Sequence, residues 1–245
     1  MLTTYFSYKT TQTLPRLLQE VLGNNPELDK FYTAPTTLEN FSSQMTTKSA
    51  QFSLENRTIL ADCLHIQYHH LNPNASTIAQ IDTLRRPTTF TVATGHQLNL
   101  MGGPLYFIYK IISVINLAKT LKEKYPENDF VPVFWMATED HDFKEINHFY
   151  LRENRLEWQC QSKGPVGRLS TKELVKFFSQ FSAHLGADEH SEALTELFKN
   201  AYLKQNNLAD ATRALVHQLF GNDGLIVVDG DDANLKRLFI PYKNR

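Results

Sequence analysis

Two hydrophobic rhythms divide the chain. Through residue 87 the apolar positions recur at intervals of three and four. Leu14, Leu17, Leu18 and Val21 follow Thr13-Leu14-Pro15 and stop at Gly23. Leu60, Leu64, Tyr68 and Leu71 end before Pro73, and Ile78, Ile81 and Leu84 are closed by Pro87. This spacing predicts helices, with proline and glycine as their punctuation. Residues 1–87 therefore read as a helical collar packing on the main domain.

From residue 88 the rhythm changes. Thr88–Thr94 (TTFTVAT) is β-branched and aromatic between Pro87 and Gly95, which predicts a buried strand. Gly95–Gly103 reads as a loop, and Pro104 suits the first turn of a helix running to about Lys124. Val131–Ala137 (VPVFWMA) is almost wholly apolar, as expected of a strand covered on both faces. Strand, helix and strand in that order predict a parallel βαβ unit over residues 88–149. Tyr150–Trp158 reads as a hairpin turning at Glu153-Asn154. Amphipathic helices follow at Thr171–His184, Ser191–Lys204 and Leu208–Phe220, and Gly224–Asp229 (GLIVVD) is a third core strand before a helix over Asp231–Phe239. Residues 150–208 are thus an insertion, and residues 209–245 return to the core. The fold class is α/β with a Rossmann-like parallel sheet. Three strands do not fill a doubly wound sheet of about five or six, so the chain is expected to be the N-terminal part of a longer protein. Leu235, Leu238, Phe239 and Ile240 are then expected to be apolar surface awaiting a cover.

Composition narrows the class. A net charge of -1 over 245 residues provides no global field toward nucleic acid or an acidic membrane. The N-terminus lacks the apolar core of a secretory signal, and the longest apolar stretch, Leu105–Ala118, is broken by Tyr109, Lys110 and Asn116. Two distant cysteines, Cys63 and Cys160, form no CxxC and fit a reducing cytoplasm.

Two segments carry candidate chemistry. Gly95–Tyr106 joins the carboxyl end of the first strand to a helix N-terminus, where ligands sit in open α/β sheets and free N–H groups favour anions. Gly95, Gly102 and Gly103 allow close backbone approach, and His96, Gln97, Asn99 and Tyr106 add polar groups; a tight turn alone would explain only the glycines. The segment is neither a P-loop nor a GxGxxG. Glu139-Asp140-His141-Asp142 follows the second strand at the same edge, with Asn147 and His148 beyond it. A histidine between carboxylates suits acid–base work, His141 acting as the base that Asp140 or Asp142 orients. A helix N-terminus would account for one or two of these acids. A metal-dependent hydrolase built on Glu139, Asp140, His141, Asp142 and His148 is the alternative, although no ligand spacing such as HExxH supports it. Asp229, ending the third strand, faces the same edge, and Asp231 or Asp232 can cap the helix that follows. His65, His69, His70 and Cys63 read as surface or packing residues of a helix.

Three stretches carry a resemblance: VATGHQLNLMGGPLYFIYK, FVPVFWMATEDHDFKEINHFY and LADATRALVHQLFGNDGLIVVDGDDANLKRLF. They resemble, in order and along most of the chain, the bacillithiol biosynthesis cysteine-adding enzyme family. The resemblance implies a ligase that joins cysteine to glucosaminyl-malate, on a core like that of class I aminoacyl-tRNA synthetases. It also implies an activating nucleotide such as ATP, a connective-peptide insertion over residues 150–208, a C-terminal coiled coil and a homodimeric full-length parent. Gly95–Tyr106 would occupy the place of the synthetase-like signature loop. Many members carry Gln where this chain has His96, which implies a tuning role there. An inactive binding fragment is the remaining reading.

Overall fold

The computed structural model describes residues 3–243, and the chain divides into two units at Gln51. The first holds helices α1 (Tyr8–Thr11), α2 (Arg16–Leu22) and α3 (Phe41–Gln51), with a 3-10 turn at Pro26–Phe31. None of its described residues is buried. As the sequence predicts, α2 starts after Pro15 and stops at Gly23.

The second unit carries the sheet. Helices α4 (Leu54–Tyr68) and α5 (Ala75–Thr83) precede strand β1 (Thr89–His96). Helix α6 (Leu105–Lys124) leads to β2 (Asp129–Met136), and the short helix α7 (Phe143–Ile146) to the hairpin β3 (His148–Leu151) and β4 (Asn154–Glu157). Helices α8 (Leu174–Leu185), α9 (Glu189–Tyr202) and α10 (Leu208–Phe220) follow. Strand β5 (Ile226–Asp229) and helices α11 (Ala233–Arg237) and α12 (Ile240–Lys243) end the described chain. The sheet is parallel, in the order β1-β2-β5. β2 sits between two partners, and its residues 130–134 and 136 are buried, in keeping with their apolar composition. Phe134 packs edge-to-face on Phe107 of α6, with ring centroids 5.1 Å apart.

Two boundaries differ from the sequence reading. β1 runs on through Gly95 and His96, because these residues pair with Trp135 and Met136 instead of opening the loop. The hairpin turns at Arg152-Glu153, one residue early: Leu151 pairs with Asn154, and Arg152 takes the left-handed conformation that a two-residue turn demands.

An aromatic cluster joins β3 to α8 and α9. Phe149 meets Phe177 and Phe181, and Phe181 meets Phe198, which lies against Tyr202. α10 then returns the chain to the sheet, with residues 211–216 all buried. Val227 and Leu235 are buried, whereas Phe239 and Ile240 stand exposed. No described helix is long and apolar enough to cross a membrane.

The open edge of β5 is closed by side chains of α4. Gln67 accepts from the Asp229 N–H at 2.9 Å and donates to the Asp229 carbonyl at 3.3 Å, standing in for a neighbouring strand. Tyr68 accepts from the Val227 N–H at 2.7 Å. At the other end of the sheet, the buried guanidinium of Arg57 donates to the carbonyls of Thr89 (2.9 Å) and Leu84 (3.3 Å). Buried backbone groups that lack a strand partner require such substitutes.

Candidate functional site

The two segments singled out in the sequence meet at the carboxyl end of the parallel sheet. The Ala137 N–H bonds the His96 carbonyl at 3.1 Å, carrying the β1–β2 pairing into both loops. The amide of Gln97 then spans the gap, donating to Asp140 Oδ2 at 2.9 Å and to Glu145 Oε2 at 2.5 Å. Asn99 Nδ2 lies 3.5 Å from the Glu145 carbonyl. Glu145 belongs to α7 and was not among the residues read from the sequence. Its only sequence signal is its place just beyond the acidic run.

Asp140 is the most constrained group here. Its Oδ1 accepts from the N–H groups of His141 (2.7 Å) and Asp142 (3.0 Å), folding the acidic run into a turn. The Gln97 amide, these N–H groups and nearby His141 hold its carboxyl below the usual carboxylate range. His141 and Asp142 are exposed at the mouth of the site.

The glycine turn is built differently from a bare anion cradle. Met101, Gly102 and Gly103 all have positive φ. However, the Met101 N–H is used by Tyr202 Oη at 3.0 Å and the Gly103 N–H by the Leu100 carbonyl at 3.0 Å. A Cβ on Gly103 would lie 2.5 Å from Asn99 Cβ, so glycine is needed there for space as well as conformation. The anion-favouring feature is instead the start of α6. No side chain caps this 20-residue helix, and Leu105 and Tyr106 in its first turn are exposed. His96 packs on Tyr106 and Phe107 at 6.1 and 5.7 Å. Lys110 donates to the Gly95 carbonyl at 2.5 Å and sits 5.2 Å from the Tyr106 ring centre.

Other predicted residues are tied into the scaffold. Asn147 is buried, and its amide donates to the Trp158 carbonyl (3.2 Å) and Glu157 (3.3 Å), anchoring the hairpin. Asp229 accepts from Thr138 Oγ1 and from the Asp231 N–H at 2.9 Å, with Arg213 Nη2 3.7 Å away. Arg213 is buried and also bonds Asp210 at 3.0 Å. Asp232 caps α11, whereas Asp231 collects Arg168 (2.6 and 2.9 Å) and Lys236. Lys236 also reaches Glu139 at 2.8 Å. An open cavity of about 200 Å³ beside Asp229 and Asp231 is bordered by Gly167 and Arg168 of the strap 165–168. The strap is held by N–H groups of Val166 and Gly167 on the carbonyls of Asp140 and Thr138. Arg168 escaped the sequence reading because its partner Asp231 lies 63 residues away along the chain. Arg213 and Lys236 have near partners in Asp210 and Asp231, but their second partners, Asp229 and Glu139, are brought in only by the fold.

Among the described residues, no three His, Cys, Asp or Glu side chains converge as a metal site. The residues of the metal-dependent hydrolase reading are thus not gathered into such a group. Burial pushes the thiols of Cys63 and Cys160 up to about 11, which keeps both protonated and poorly nucleophilic at neutral pH.

Comparison with known proteins identifies the family. Residues 1–245 match the family described as bacillithiol biosynthesis BshC, N-terminal Rossmann-like domain. The chain is 50% identical over 242 residues to a protein of Flavobacterium johnsoniae named "Putative cysteine ligase BshC", covering 99% of this chain and 46% of that one. Proteins of the same name from Flavobacterium psychrophilum and Christiangramia forsetii are 49% and 46% identical. They match over 99% and 98% of this chain, and 46% of each relative. The chain thus spans about half the length of the curated relatives it matches. With a parallel sheet whose loops converge at one edge and a family match along its whole length, the chain belongs to the bacillithiol biosynthesis BshC family and corresponds to its N-terminal Rossmann-like domain.

Proposed function

We propose that the full-length protein carrying this chain joins the carboxyl group of cysteine to the amine of glucosaminyl-malate, in the cytoplasm and as a homodimer. Family membership supports the reaction class. The observation that carries the site is the Gln97 amide, which draws Asp140 and Glu145 together at the sheet's carboxyl edge. Amide formation from a free carboxylate is uphill, and a nucleotide supplies the activation. The uncapped start of α6 fits an anionic group of such a ligand, because its first N–H groups and helix dipole favour negative charge.

In this reading the exposed imidazole of His141 takes the proton that the attacking amine must lose. Asp140, held ionised by Gln97, stabilises the imidazolium that results. Gln97, which also bonds Glu145, fixes Asp140 in place, while Tyr106 and Asn99 line the approach. The test is incubation of full-length protein with glucosaminyl-malate, cysteine and candidate nucleotides, followed by mass spectrometry. The coupled thiol is the expected product. Its absence with every nucleotide would overturn the reaction class.

A further inference from the structure

Trp135 is the exception in β2. Residues 130–134 and Met136 are buried, yet Trp135 is 42% exposed. Alternation along the strand sends it to the face opposite Phe134, away from α6. It lies one residue before the end of the strand, level with Gly95 on β1 and Val228 on β5. Glycines lie close to it on both sides, Gly95 on β1 and Gly230 just past the end of β5. A Cβ on Gly230 would lie 2.5 Å from the indole Cζ2, and one on Gly95 would lie 3.2 Å from the Trp135 carbonyl and 3.8 Å from Cδ1. The indole thus lies across the strand ends on backbone, with part of its surface free.

Next to Gly230 stands Asp231, which gathers Arg168 and Lys236, and Lys236 in turn pairs with Glu139. Arg168, Lys236 and Glu139 are each at least two-fifths exposed. The rim beside the indole therefore offers two cations and a carboxylate to solvent, held in place by the nearly buried Asp231.

We infer that Trp135 is the stacking platform for the hexosamine ring of the acceptor, with Glu139 facing its hydroxyl groups and Lys236 and Arg168 facing its carboxylates. This rests on the coupling reaction proposed above. An indole face suits the C–H face of a pyranose, and a rim of mixed charge suits a ligand that carries both hydroxyls and carboxylates. A nucleobase would also stack on an indole, and the nucleotide KM separates the two occupants. The anion-favouring start of α6 is on the other side of the sheet.

The experiment is steady-state kinetics of the full-length protein and its Trp135→Ala, Trp135→Phe and Gly230→Ala variants, varying each substrate in turn. Thermal melting and calorimetric titration with glucosaminyl-malate accompany it. The platform predicts that Trp135→Ala raises the acceptor KM and calorimetric Kd about tenfold, as expected for losing part of an aromatic contact surface. The cysteine and nucleotide KM values stay unchanged. Trp135→Phe retains most of the affinity, and Gly230→Ala, which displaces the indole, behaves like Trp135→Ala. A rise confined to the nucleotide KM would overturn the inference in favour of a base-stacking role, as would unchanged acceptor affinity in a folded Trp135→Ala variant. If the wild-type protein forms no coupled thiol, the proposed reaction fails. The calorimetric comparison of wild type with Trp135→Ala then decides the platform separately, and equal or absent binding overturns it.

Discussion

The phenol of Tyr68 accepts a 2.7 Å hydrogen bond from the Val227 N–H, on the edge of β5 that no described strand pairs. Gln67, its neighbour on α4, brackets Asp229 in the same way. Two neighbouring residues of α4 thus supply hydrogen-bond partners to an edge that no described strand pairs.

Tyr68→Phe should therefore cost about 1–3 kcal/mol in chemical denaturation, since it leaves a buried N–H without a partner. The pH dependence has a defined sign. Burial pushes the Tyr68 hydroxyl up to about 12, above its value of about 10 in an unfolded chain. Its contribution is fully present below pH ~10 and is lost as pH rises toward 12. The wild-type protein should lose stability over that range more steeply than Tyr68→Phe, and equal slopes would count against this account.

Gln97→Leu removes the donor shared by Asp140 and Glu145. The Asp140 carboxyl, now held low chiefly by that amide, should move back up toward its ordinary range. Because its folded pKa is depressed, the stabilisation it provides is present above the unfolded value and lost as pH falls through the folded one. The acid limb of both the stability and the coupling profiles should shift to higher pH in the variant. Profiles that superimpose on wild type would show that Gln97 does not govern Asp140.

His141→Ala should lower kcat/KM for coupling by about 10²–10⁴, the usual range for a lost general base. Since His141 is exposed, the melting curve should barely move, with a change within about 0.5 kcal/mol. Near-normal turnover would remove His141 from the proton transfer.

Gly103→Ala places a Cβ 2.5 Å from Asn99 Cβ at a residue whose φ is +60°. Crowding and left-handed strain together should cost about 1–3 kcal/mol, read as a lowered melting temperature. A neutral substitution would mean that the turn relaxes freely, against the close Asn99 contact.

Arg213→Met removes a buried cation from Asp210 and Asp229. Breaking a fully buried pair costs about 3–5 kcal/mol, and these carboxylates are partly exposed, so the lower end is expected. Urea denaturation of the variant measures this directly. A loss below about 1 kcal/mol, the value of a surface pair, would show that water already screens the site.

The alternation and spacing of apolar residues along the chain determined by themselves the order of helices and strands, the parallel βαβ unit, and the meeting of the Gly95–Tyr106 and Glu139–Asn147 segments. These depend on local periodicity and on the rule that consecutive parallel strands bring their carboxyl ends to one edge, so a one-dimensional pattern carries them. Only the tertiary structure decided which polar groups were spent. Asn147 has the chemistry of a ligand-binding amide, but the hairpin consumes it. The N–H groups of Met101 and Gly103 look available until Tyr202 and Leu100 take theirs. Gln67 has no visible role in an amphipathic helix, yet it completes a strand edge 162 residues away in sequence. Trp135 looks like one more core residue in an apolar run, and only the glycines beside it leave it open. Hydrophobic burial follows a short period along the chain, whereas hydrogen bonds and close packing are settled between residues far apart in it, where no local pattern records the partner.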